Sequence, residues 1–336
     1  MTSRKIGSAA VTPVGLGCMN YAHGYGNTLT AEAASRLLNE ALELGYTHFD
    51  TATIYGAGVS ETVLGNTLGA RRNDIFLASK CGLFPGTNGA SRDIDGRPER
   101  IKAACEASLQ RLKTDVIDLY YLHRLDRTVP IEDSAGAFAD LIREGKIRSY
   151  GLSEVSAETL RRAHAVHPVA ALQSEYSLWT RNPEIATLAA CRDLGVTFVA
   201  FSPLARAFLT GKHGMDAVLH PDEKDMRRAM PRFVPETYAR NLELLKVYGE
   251  IADEAGCSMA ALAIAWVLAQ GEHVVAIPGT TQSDHLKENF EAGSLQLSAE
   301  VLLKLDKLIN QETVQGTRYS AAQQADIETE TFPSER

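Results

Sequence analysis

The sequence of 336 residues alternates short apolar runs with longer segments in which apolar residues recur at helical spacing. This alternation predicts strand-helix units whose strands lie parallel in one sheet. Eight runs qualify as strands, and eight parallel strands favour an α/β fold of the closed (α/β)8 TIM-barrel type. The predicted strands are 14–19, 46–50, 75–80, 116–122, 148–152, 169–173, 196–201 and 274–278.

Amphipathic segments between these strands complete the pattern. In 31–44 the apolar residues recur at helical spacing, and Gly45 is the type of residue that ends a helix. Residues 4–12 alternate like a β-hairpin, which in a barrel would cover the floor. The other predicted helices are 60–70, 98–112, 131–144, 156–166, 183–194 and 258–269, with extra helices at 238–255 and 298–310 towards the carboxyl terminus.

No shift in composition divides the chain, which predicts a single domain over residues 1–336. Two connections, 82–97 and 205–235, are unusually long, and such loops in a compact domain are often functional. The polar, acidic tail at about 320–336 is expected to be loosely held.

Charge and cysteine content argue against several classes of function. The composition is that of a soluble globular protein, and the net charge of -8 without a basic stripe argues against a nucleic-acid partner. No run approaches the roughly 20 apolar residues that span a bilayer, and no signal peptide is evident, so we expect a cytoplasmic location and no membrane partner. Five cysteines without a Cys-x-x-Cys spacing predict neither disulfides nor zinc.

Polar residues follow several of the predicted strands, at the edge where an (α/β)8 barrel carries its active site. Taken singly, Asp50 or Ser153 could cap a helix, and Lys80 could be a surface lysine. Their convergence on one rim favours a functional site instead. The candidates are Asp50, Lys80, His123, Ser153, Gln173 and Ser202.

A phenol near this rim, Tyr55, suggests proton donation. Its ordinary pKa of about 10 makes it a poor acid unless a neighbouring cation stabilises the phenolate. Lys80 could supply that cation, Asp50 could offset the burial of Lys80, and His123 could hydrogen-bond a substrate oxygen. This set would protonate a carbonyl oxygen as a hydride reaches the carbon, and the sequence shows neither a Gly-x-Ser-x-Gly elbow nor a cysteine paired with a base.

The hydride would then come from a bound cofactor. Gly15 and Gly17 begin a dinucleotide fingerprint, but Asn20 stands at the third glycine position and no helix is predicted to open there. A Rossmann site is therefore not indicated.

Longer motifs along the chain resemble the aldo-keto reductase family, in particular its bacterial pyridoxal-reductase and aldehyde-reductase-like members. They occur in the family's order over almost the whole chain. The motifs are Asp50 and Tyr55 in Phe-Asp-Thr-Ala-x-x-Tyr, Lys80 in Ala-Ser-Lys, His123 in Asp-x-x-Tyr-Leu-His, Gly151-Leu152-Ser153-Glu154, Gln173-Ser174-Glu175-Tyr176-Ser177, Phe201-Ser202-Pro203-Leu204 and Ile277-Pro278-Gly279-Thr280.

The resemblance implies a barrel that binds NADPH or NADP+ in extended form and reduces an aldehyde or ketone. It also implies a catalytic tetrad of Asp50, Tyr55, Lys80 and His123, with Tyr55 as proton donor. The residues that it assigns to the cofactor are Ser153, Glu154, Gln173, Phe201, Ser202, Pro203, Leu204, Arg206, Gly279, Thr280, Thr281, Gln282, His285, Glu288 and Asn289.

Three departures from the family pattern bear on the cofactor. Glu154 stands where many members have asparagine, and a carboxylate can accept from the carboxamide but cannot donate to it. Ala205 and Ala207 replace common glycines. The segment 279–289 contains no guanidinium, so the preference for NADPH over NADH should be weaker, with NADH as an alternative cofactor.

Apolar and aromatic residues near the rim predict a roomy pocket for a small carbonyl compound, although each could equally be a loop anchor. They are Met19, Tyr25, Phe84 and Trp179, together with Leu83 and Phe208. Two other functions stay open: a cofactor-binding interaction subunit of the same fold, and a metal-dependent hydrolase. The second is disfavoured because the rim offers one histidine and no cluster of ligands.

Overall fold

The computed structural model describes residues 2–22, 24–26, 28–87, 92–219 and 222–335. Its centre is an eight-stranded parallel sheet, which confirms the predicted (α/β)8 barrel. The barrel order is β3-β4-β5-β8-β9-β10-β11-β12. In chain order the strands are β1 (Arg4–Ile6), β2 (Ala9–Val11), β3 (Leu16–Gly17), β4 (His48–Asp50), β5 (Phe76–Cys81), β6 (Leu83–Pro85), β7 (Arg92–Ile94), β8 (Ile117–Leu122), β9 (Ile147–Ser153), β10 (Ala171–Glu175), β11 (Thr197–Phe201) and β12 (Val274–Ile277).

The barrel closes where the chain before β3 meets β12. Val14 forms a parallel bridge with Ala276. The Gly15 N–H donates to the Ala276 carbonyl at 2.8 Å, and the Ala276 N–H donates to the Pro13 carbonyl at 2.9 Å. These bonds join the first and last barrel strands, so that neither leaves an exposed edge.

The helices surround the barrel close to their predicted positions. The first matches the predicted 31–44, because Thr30 caps its start and Gly45, with φ 104°, ends it. Three helices, α7, α10 and α12, fall outside the predicted set. The helices are α1 (Ala31–Leu44), α2 (Val59–Leu68), α3 (Pro98–Leu112), α4 (Ile131–Arg143), α5 (Ala157–Val166), α6 (Thr187–Leu194), α7 (Asp216–Leu219), α8 (Pro235–Glu254), α9 (Met259–Leu268), α10 (Ser283–Glu291), α11 (Ala299–Leu308) and α12 (Ala321–Gln324).

Two antiparallel ribbons lie outside the barrel wall. The predicted amino-terminal hairpin, β1 with β2, is tied to the amino ends of two barrel strands: the Arg4 guanidinium donates to the carbonyl of Val274 in β12, and the Thr197 hydroxyl of β11 donates to the Lys5 carbonyl at 2.6 Å. Arg4 also donates to the carbonyl of Leu268, at the end of α9, at 2.7 Å. The second ribbon, β6 with β7, builds the long connection 82–97. Its strands are too short for an alternation of hydrophobicity to reveal them in the sequence.

The carboxyl-terminal tail is bound to the barrel, so the prediction that it is loosely held is wrong. The Glu328 N–H donates to the Glu154 carbonyl at 2.9 Å, and the Glu328 carboxylate accepts from the Ser156 N–H at 2.9 Å. Glu330 accepts from the Ala157 N–H at 2.8 Å. Two acidic side chains of the tail therefore cap the amino end of α5, whose unpaired N–H groups attract negative charge.

Among the helices that the structure describes, no single one is long and apolar enough to cross a membrane. The consecutive pair α8 and α9 meets the length and composition requirement together, but the two helices bend by 80° at the break between them. Most residues of α9 are buried within the protein.

Gly151 tests how closely the barrel strands pack. A Cβ atom there would lie 2.5 Å from the Tyr121 ring and 2.7 Å from the Ala171 carbonyl oxygen. Gly151→Ala should therefore lower the free energy of unfolding by about 3 kcal/mol, because neither the Ala171 backbone nor the Tyr121 ring can move away without strain. Urea denaturation measures the change.

Gly136, inside α4, provides the matched control, because a Cβ atom there meets nothing within 4 Å. Gly136→Ala should raise the free energy of unfolding by about 0.5 kcal/mol, since alanine loses less entropy in a helix. Equal stability of the two variants would contradict the packing described for β9.

Candidate active site

Three adjacent strands bring the predicted catalytic residues together at their carboxyl ends. Asp50 ends β4, Lys80 lies near the end of β5, and His123 follows β8. Tyr55 lies in the turn after β4, where its N–H donates to the Ala52 carbonyl at 3.1 Å. Strand adjacency therefore gathers residues that are up to 73 positions apart, from Asp50 to His123.

Lys80 is completely buried, and its ammonium is held by two acceptors. It forms an ion pair with the Asp50 carboxylate and donates to the Thr51 carbonyl at 2.9 Å. The second Asp50 oxygen accepts from the Gln173 amide at 2.8 Å. Burial opposes the charge on Lys80, but Asp50 and Tyr55 outweigh it and raise the pKa of Lys80, so the ammonium stays charged.

Tyr55 lies beside this ammonium. The Lys80 Nζ atom is 5.2 Å from the centre of the Tyr55 ring, and the Tyr55 and His123 rings meet edge to face with their centres 5.9 Å apart. Burial raises the pKa of Tyr55, and Lys80 opposes that rise. Lys80 therefore acts to lower the pKa of Tyr55, as expected, but the opposite effect of burial is larger. The phenol keeps its proton at neutral pH.

His123 is neutral in this environment. Burial, with the nearby charges of Arg124 and Lys80, holds the pKa of His123 well below its ordinary value. Its Nδ1 atom is buried and has no hydrogen-bond partner among the described residues. A neutral imidazole can donate one hydrogen bond without adding a charge to the site.

A cavity of about 550 Å³ opens above these residues, a size that suits a small-molecule ligand. Asp50, Tyr55 and His123 line it, with Lys80 behind Asp50. Most residues predicted to hold a cofactor also line it: Ser153, Gln173, Phe201, Ser202, Pro203, Leu204, Arg206, Gly279, Thr280, Thr281, Gln282, His285, Glu288 and Asn289.

One end of the cavity suits an anion. The helix α10 begins at Ser283, next to the cavity residues Gln282 and His285, and a helix amino terminus favours negative charge. The Lys212 ammonium also lines the cavity, with its Nζ atom 2.7 Å from His285 Nε2. The sequence reasoning missed Lys212, because it lies 73 residues before His285 in the long connection 205–235.

The segment after β11 keeps a backbone that usually requires glycine. Ala205, Arg206 and Ala207 have φ values of 51°, 56° and 73°, in the left-handed region that residues with a Cβ atom rarely adopt. The two alanines therefore preserve the glycine-like path in spite of the strain. The Arg206 guanidinium donates to Glu175 at 2.6 Å and to the Tyr319 hydroxyl at 3.0 Å, so its charge is already paired.

Glu154 does not reach the cavity, which corrects the cofactor role predicted for it. Its side chain is completely buried, and both carboxylate oxygens accept from the Arg318 guanidinium, at 2.7 and 2.8 Å. One of them also accepts from the Glu175 N–H at 2.8 Å. The carboxylate is thus fully engaged with a partner that lies 164 residues away in the sequence.

The structure places only some of the residues predicted for the substrate pocket at the cavity. Phe84 lies outside the cavity lining, with its ring 4.9 Å from the Arg100 guanidinium carbon. Trp179 also lies outside it, because its ring is buried in a stack on Phe208, with the ring centres 4.4 Å apart. Met19, Tyr25 and Leu83 do line the cavity. Lining residues that the sequence did not indicate include Asn20, Ile54, Arg124, Met226, Arg227 and Tyr319.

Within the described ranges, no group of three or more His, Cys, Asp or Glu side chains is arranged to hold a metal ion. The ionisable groups of the cavity floor are instead paired with one another or neutral.

Comparison with known proteins agrees with this geometry. Residues 13–310 match the model of the Aldo/keto reductase family. The chain is 39% identical over 328 residues to the aldo-keto reductase str7 of Strobilurus tenacellus, with 95% of each chain covered. The chain therefore belongs to the Aldo/keto reductase family.

Solved structures of the family share the barrel. The glycerol dehydrogenase AKR11B4 from Gluconobacter oxydans matches with a TM-score of 0.83 and 29% identity, over 91% of this chain and 94% of that one. An aldo/keto reductase from Klebsiella pneumoniae, in complex with NADP and acetate, matches with a TM-score of 0.71 and 26% identity, over 95% and 98% of the two chains.

The pH dependence of stability tests the buried charges beside the cavity. Burial raises the pKa of Glu175, but the guanidinium groups of Arg206, Arg318 and Arg232 outweigh it and hold the pKa at about 2. A carboxylate with a depressed pKa in the folded state stabilises the protein above its unfolded pKa of about 4.3 and loses that contribution as the pH falls towards 2.

Glu175→Gln should therefore lower the free energy of unfolding by about 3 kcal/mol at pH 7 and by less at pH 3. Urea denaturation at both pH values measures the difference. Glu236→Gln is the control, because Glu236 is exposed and pairs with Arg240 at the surface. An equal loss at both pH values for Glu175→Gln would show that its charge is not what stabilises the fold.

Proposed function

We propose that the protein reduces an aldehyde or ketone to an alcohol with NADPH or NADH. The observation that supports this proposal is the arrangement of four ionisable side chains at the floor of the cavity. A buried Lys80–Asp50 pair lies beside a protonated phenol, Tyr55, and a neutral imidazole, His123. Such a set can protonate a carbonyl oxygen, because the phenol is protonated and the ammonium beside it can stabilise the phenolate.

Tyr55 is the proton donor in this proposal. Its pKa is raised by burial, so the phenol is protonated when the substrate arrives. The phenolate left after proton transfer lies next to the Lys80 ammonium, which stabilises the negative charge. Asp50 and Thr51 hold that ammonium in place beside the phenol.

His123 orients the substrate oxygen. As a neutral ring it can donate a hydrogen bond to the carbonyl without competing with Tyr55 as an acid. The edge-to-face contact of the two rings fixes both groups on the same side of the cavity. A carbonyl oxygen placed between them would meet two donors, which is the arrangement that favours charge on oxygen.

The cavity also has the donor set that a nicotinamide nucleotide requires. Ser153 and the Gln173 amide would hydrogen-bond the carboxamide, and Phe201 would stack on the ring. The amino end of α10 and the Lys212 ammonium would hold phosphate. When bound there, the cofactor supplies the hydride to the carbonyl carbon. The NADP bound in the Klebsiella pneumoniae relative supports a nicotinamide nucleotide as the cofactor.

Tyr55→Phe should lower kcat for aldehyde reduction by about 10²- to 10⁴-fold, because general acid catalysis contributes that range. Binding of NADPH, followed by its fluorescence, should be unchanged. Tyr25→Phe is the matched control: it removes a hydroxyl from the same cavity, but the Tyr25 ring lies against the Arg227 guanidinium rather than Lys80. For this control kcat should change by less than about threefold.

A screen of aldehydes and bulky ketones with the unaltered protein separates this proposal from an interaction subunit. Oxidation of NADPH that depends on the carbonyl compound supports the reductase. Tight cofactor binding without any turnover would overturn the proposed activity, and full activity in Tyr55→Phe would overturn the role of Tyr55 as proton donor.

Lys212→Met tests the phosphate end of the cavity. Loss of the ammonium beside His285 should raise the KM for NADPH about tenfold, the effect of one charge-assisted contact, and leave the KM for NADH unchanged. Lys287→Met is the control, because this exposed lysine faces Glu291 rather than the cavity. An equal rise for both cofactors would place Lys212 away from the 2′-phosphate.

A further inference from the structure

Arg124 brings a positive charge to the large cavity beside the candidate catalytic residues. It follows His123 directly, is half-buried and lines the cavity. Its Nη1 atom donates to the His123 carbonyl at 2.6 Å and to the Ser153 hydroxyl at 3.3 Å. These bonds hold the guanidinium between the carboxyl ends of β8 and β9, next to a hydroxyl that would bind the nicotinamide carboxamide.

The guanidinium has donors to spare at this position. No Asp or Glu side chain of the described residues forms an ion pair with it: Glu154 pairs with Arg318, and Asp126 accepts from the Thr128 hydroxyl at 2.6 Å. The Nε and Nη2 atoms of Arg124 form no hydrogen bond to the part of the chain that the structure describes. An edge of the planar group is therefore available to a ligand.

Arg124 also lies within electrostatic reach of the two candidate groups that would contact the substrate oxygen. Burial raises the pKa of Tyr55, and the charge of Arg124 acts in the opposite direction. Burial lowers the pKa of His123, and among the charges Arg124 contributes most to that decrease. Coulomb interactions fall with distance, so these effects agree with a guanidinium close to the reacting end of the cavity.

The orientation of the Gln173 amide limits how a carboxamide can bind beside it. Gln173 Nε2 donates to the Asp50 carboxylate at 2.8 Å, and a carboxylate can only accept, so this bond fixes which end of the amide is nitrogen. The Gln173 oxygen is left as the acceptor. It can accept from the NH2 group of a carboxamide, which leaves the carboxamide oxygen in need of a donor.

Two donors lie together where that oxygen would be. The Ser153 hydroxyl accepts from Arg124, so its own proton is free to donate. The remaining N–H groups of Arg124 are the second donor. Glu154, which was predicted to contact the cofactor at this point of the chain, cannot donate as a carboxylate and is engaged by Arg318.

We propose that the Arg124 guanidinium and the Ser153 hydroxyl together donate to the carboxamide oxygen of the nicotinamide, while the Gln173 oxygen accepts from its NH2 group. This inference rests on the proposed function, in which the cavity holds a nicotinamide nucleotide. It assigns a cofactor contact to a residue that the sequence motifs did not indicate.

The charge of Arg124 has a consequence for the redox state of the cofactor. The nicotinamide ring is positively charged when oxidised and neutral when reduced, so a guanidinium beside it opposes the oxidised form. For a half-exposed pair of charges this repulsion should weaken the binding of NADP+ relative to NADPH by about threefold to tenfold. A neutral hydrogen-bond donor at the same place would give no such preference.

Dissociation constants measured by isothermal titration calorimetry test both parts of the proposal. Arg124→Met should weaken the binding of NADPH about tenfold, the effect of one charge-assisted hydrogen bond. The ratio of the dissociation constant of NADP+ to that of NADPH should fall about threefold to tenfold, because the repulsion is removed. Arg124→Lys keeps the charge and should keep this ratio close to that of the unaltered protein.

Two controls restrict the effect to the nicotinamide end of the cavity. Phospho-ADP-ribose, the part of NADP+ that lacks nicotinamide, should bind Arg124→Met and the unaltered protein equally, which also shows that the variant is folded. Arg100→Met is the matched variant, because Arg100 pairs with Asp95 and lies outside the cavity lining. It should leave all three dissociation constants unchanged.

Unchanged affinity for NADPH in Arg124→Met would overturn the proposal. An equal loss for NADPH, NADP+ and phospho-ADP-ribose would also overturn it, because a loss of that kind indicates a structural role. A ratio that does not change in Arg124→Met would overturn the preference for the reduced cofactor. Binding does not require turnover, so intact cofactor binding without carbonyl reduction would contradict the proposed function and leave this assignment standing.

Discussion

The buried ion pair of Lys80 and Asp50 is the constraint on which the site depends. Removing an ammonium and a carboxylate from water costs several kcal/mol for each ion, and only close pairing with further hydrogen bonds offsets that cost. Thr51 and Gln173 supply those bonds. Strands β4, β5 and β10 must therefore hold their side chains at the same level of the barrel. The barrel in this way keeps the charge of Lys80 beside Tyr55.

Charge compensation also decides which side chains are free to meet a ligand. Glu154 and Arg206 stand at positions that the sequence motifs assign to the cofactor, yet both are engaged by internal partners. Lys212, which lies in a long connection, forms no ion pair with the described residues and reaches the cavity. A residue's position in a motif thus defines where its backbone lies, and the surrounding charges define what its side chain does.

The barrel and most of the residues that line the cavity could be predicted because their signals are local. Strands such as β5 and β8 are continuous buried runs, and the reactive residues follow them directly. The errors concern contacts between distant segments: Arg318 with Glu154, the stack of Trp179 on Phe208, and the tail on α5. Nothing in the local pattern around Glu154 or Trp179 encodes a partner that a different segment of the chain supplies.

The anchoring of Glu154 by Arg318 has a consequence for the newly made chain. Synthesis proceeds from the amino terminus, so β9 and Glu154 emerge long before the segment that neutralises the carboxylate. Until Arg318 is available, closing the wall of the cavity would bury an unpaired charge. We therefore expect the top of the barrel to close only after the segment with Arg318 has been synthesised, because a chain that ends before it lacks the partner that neutralises Glu154.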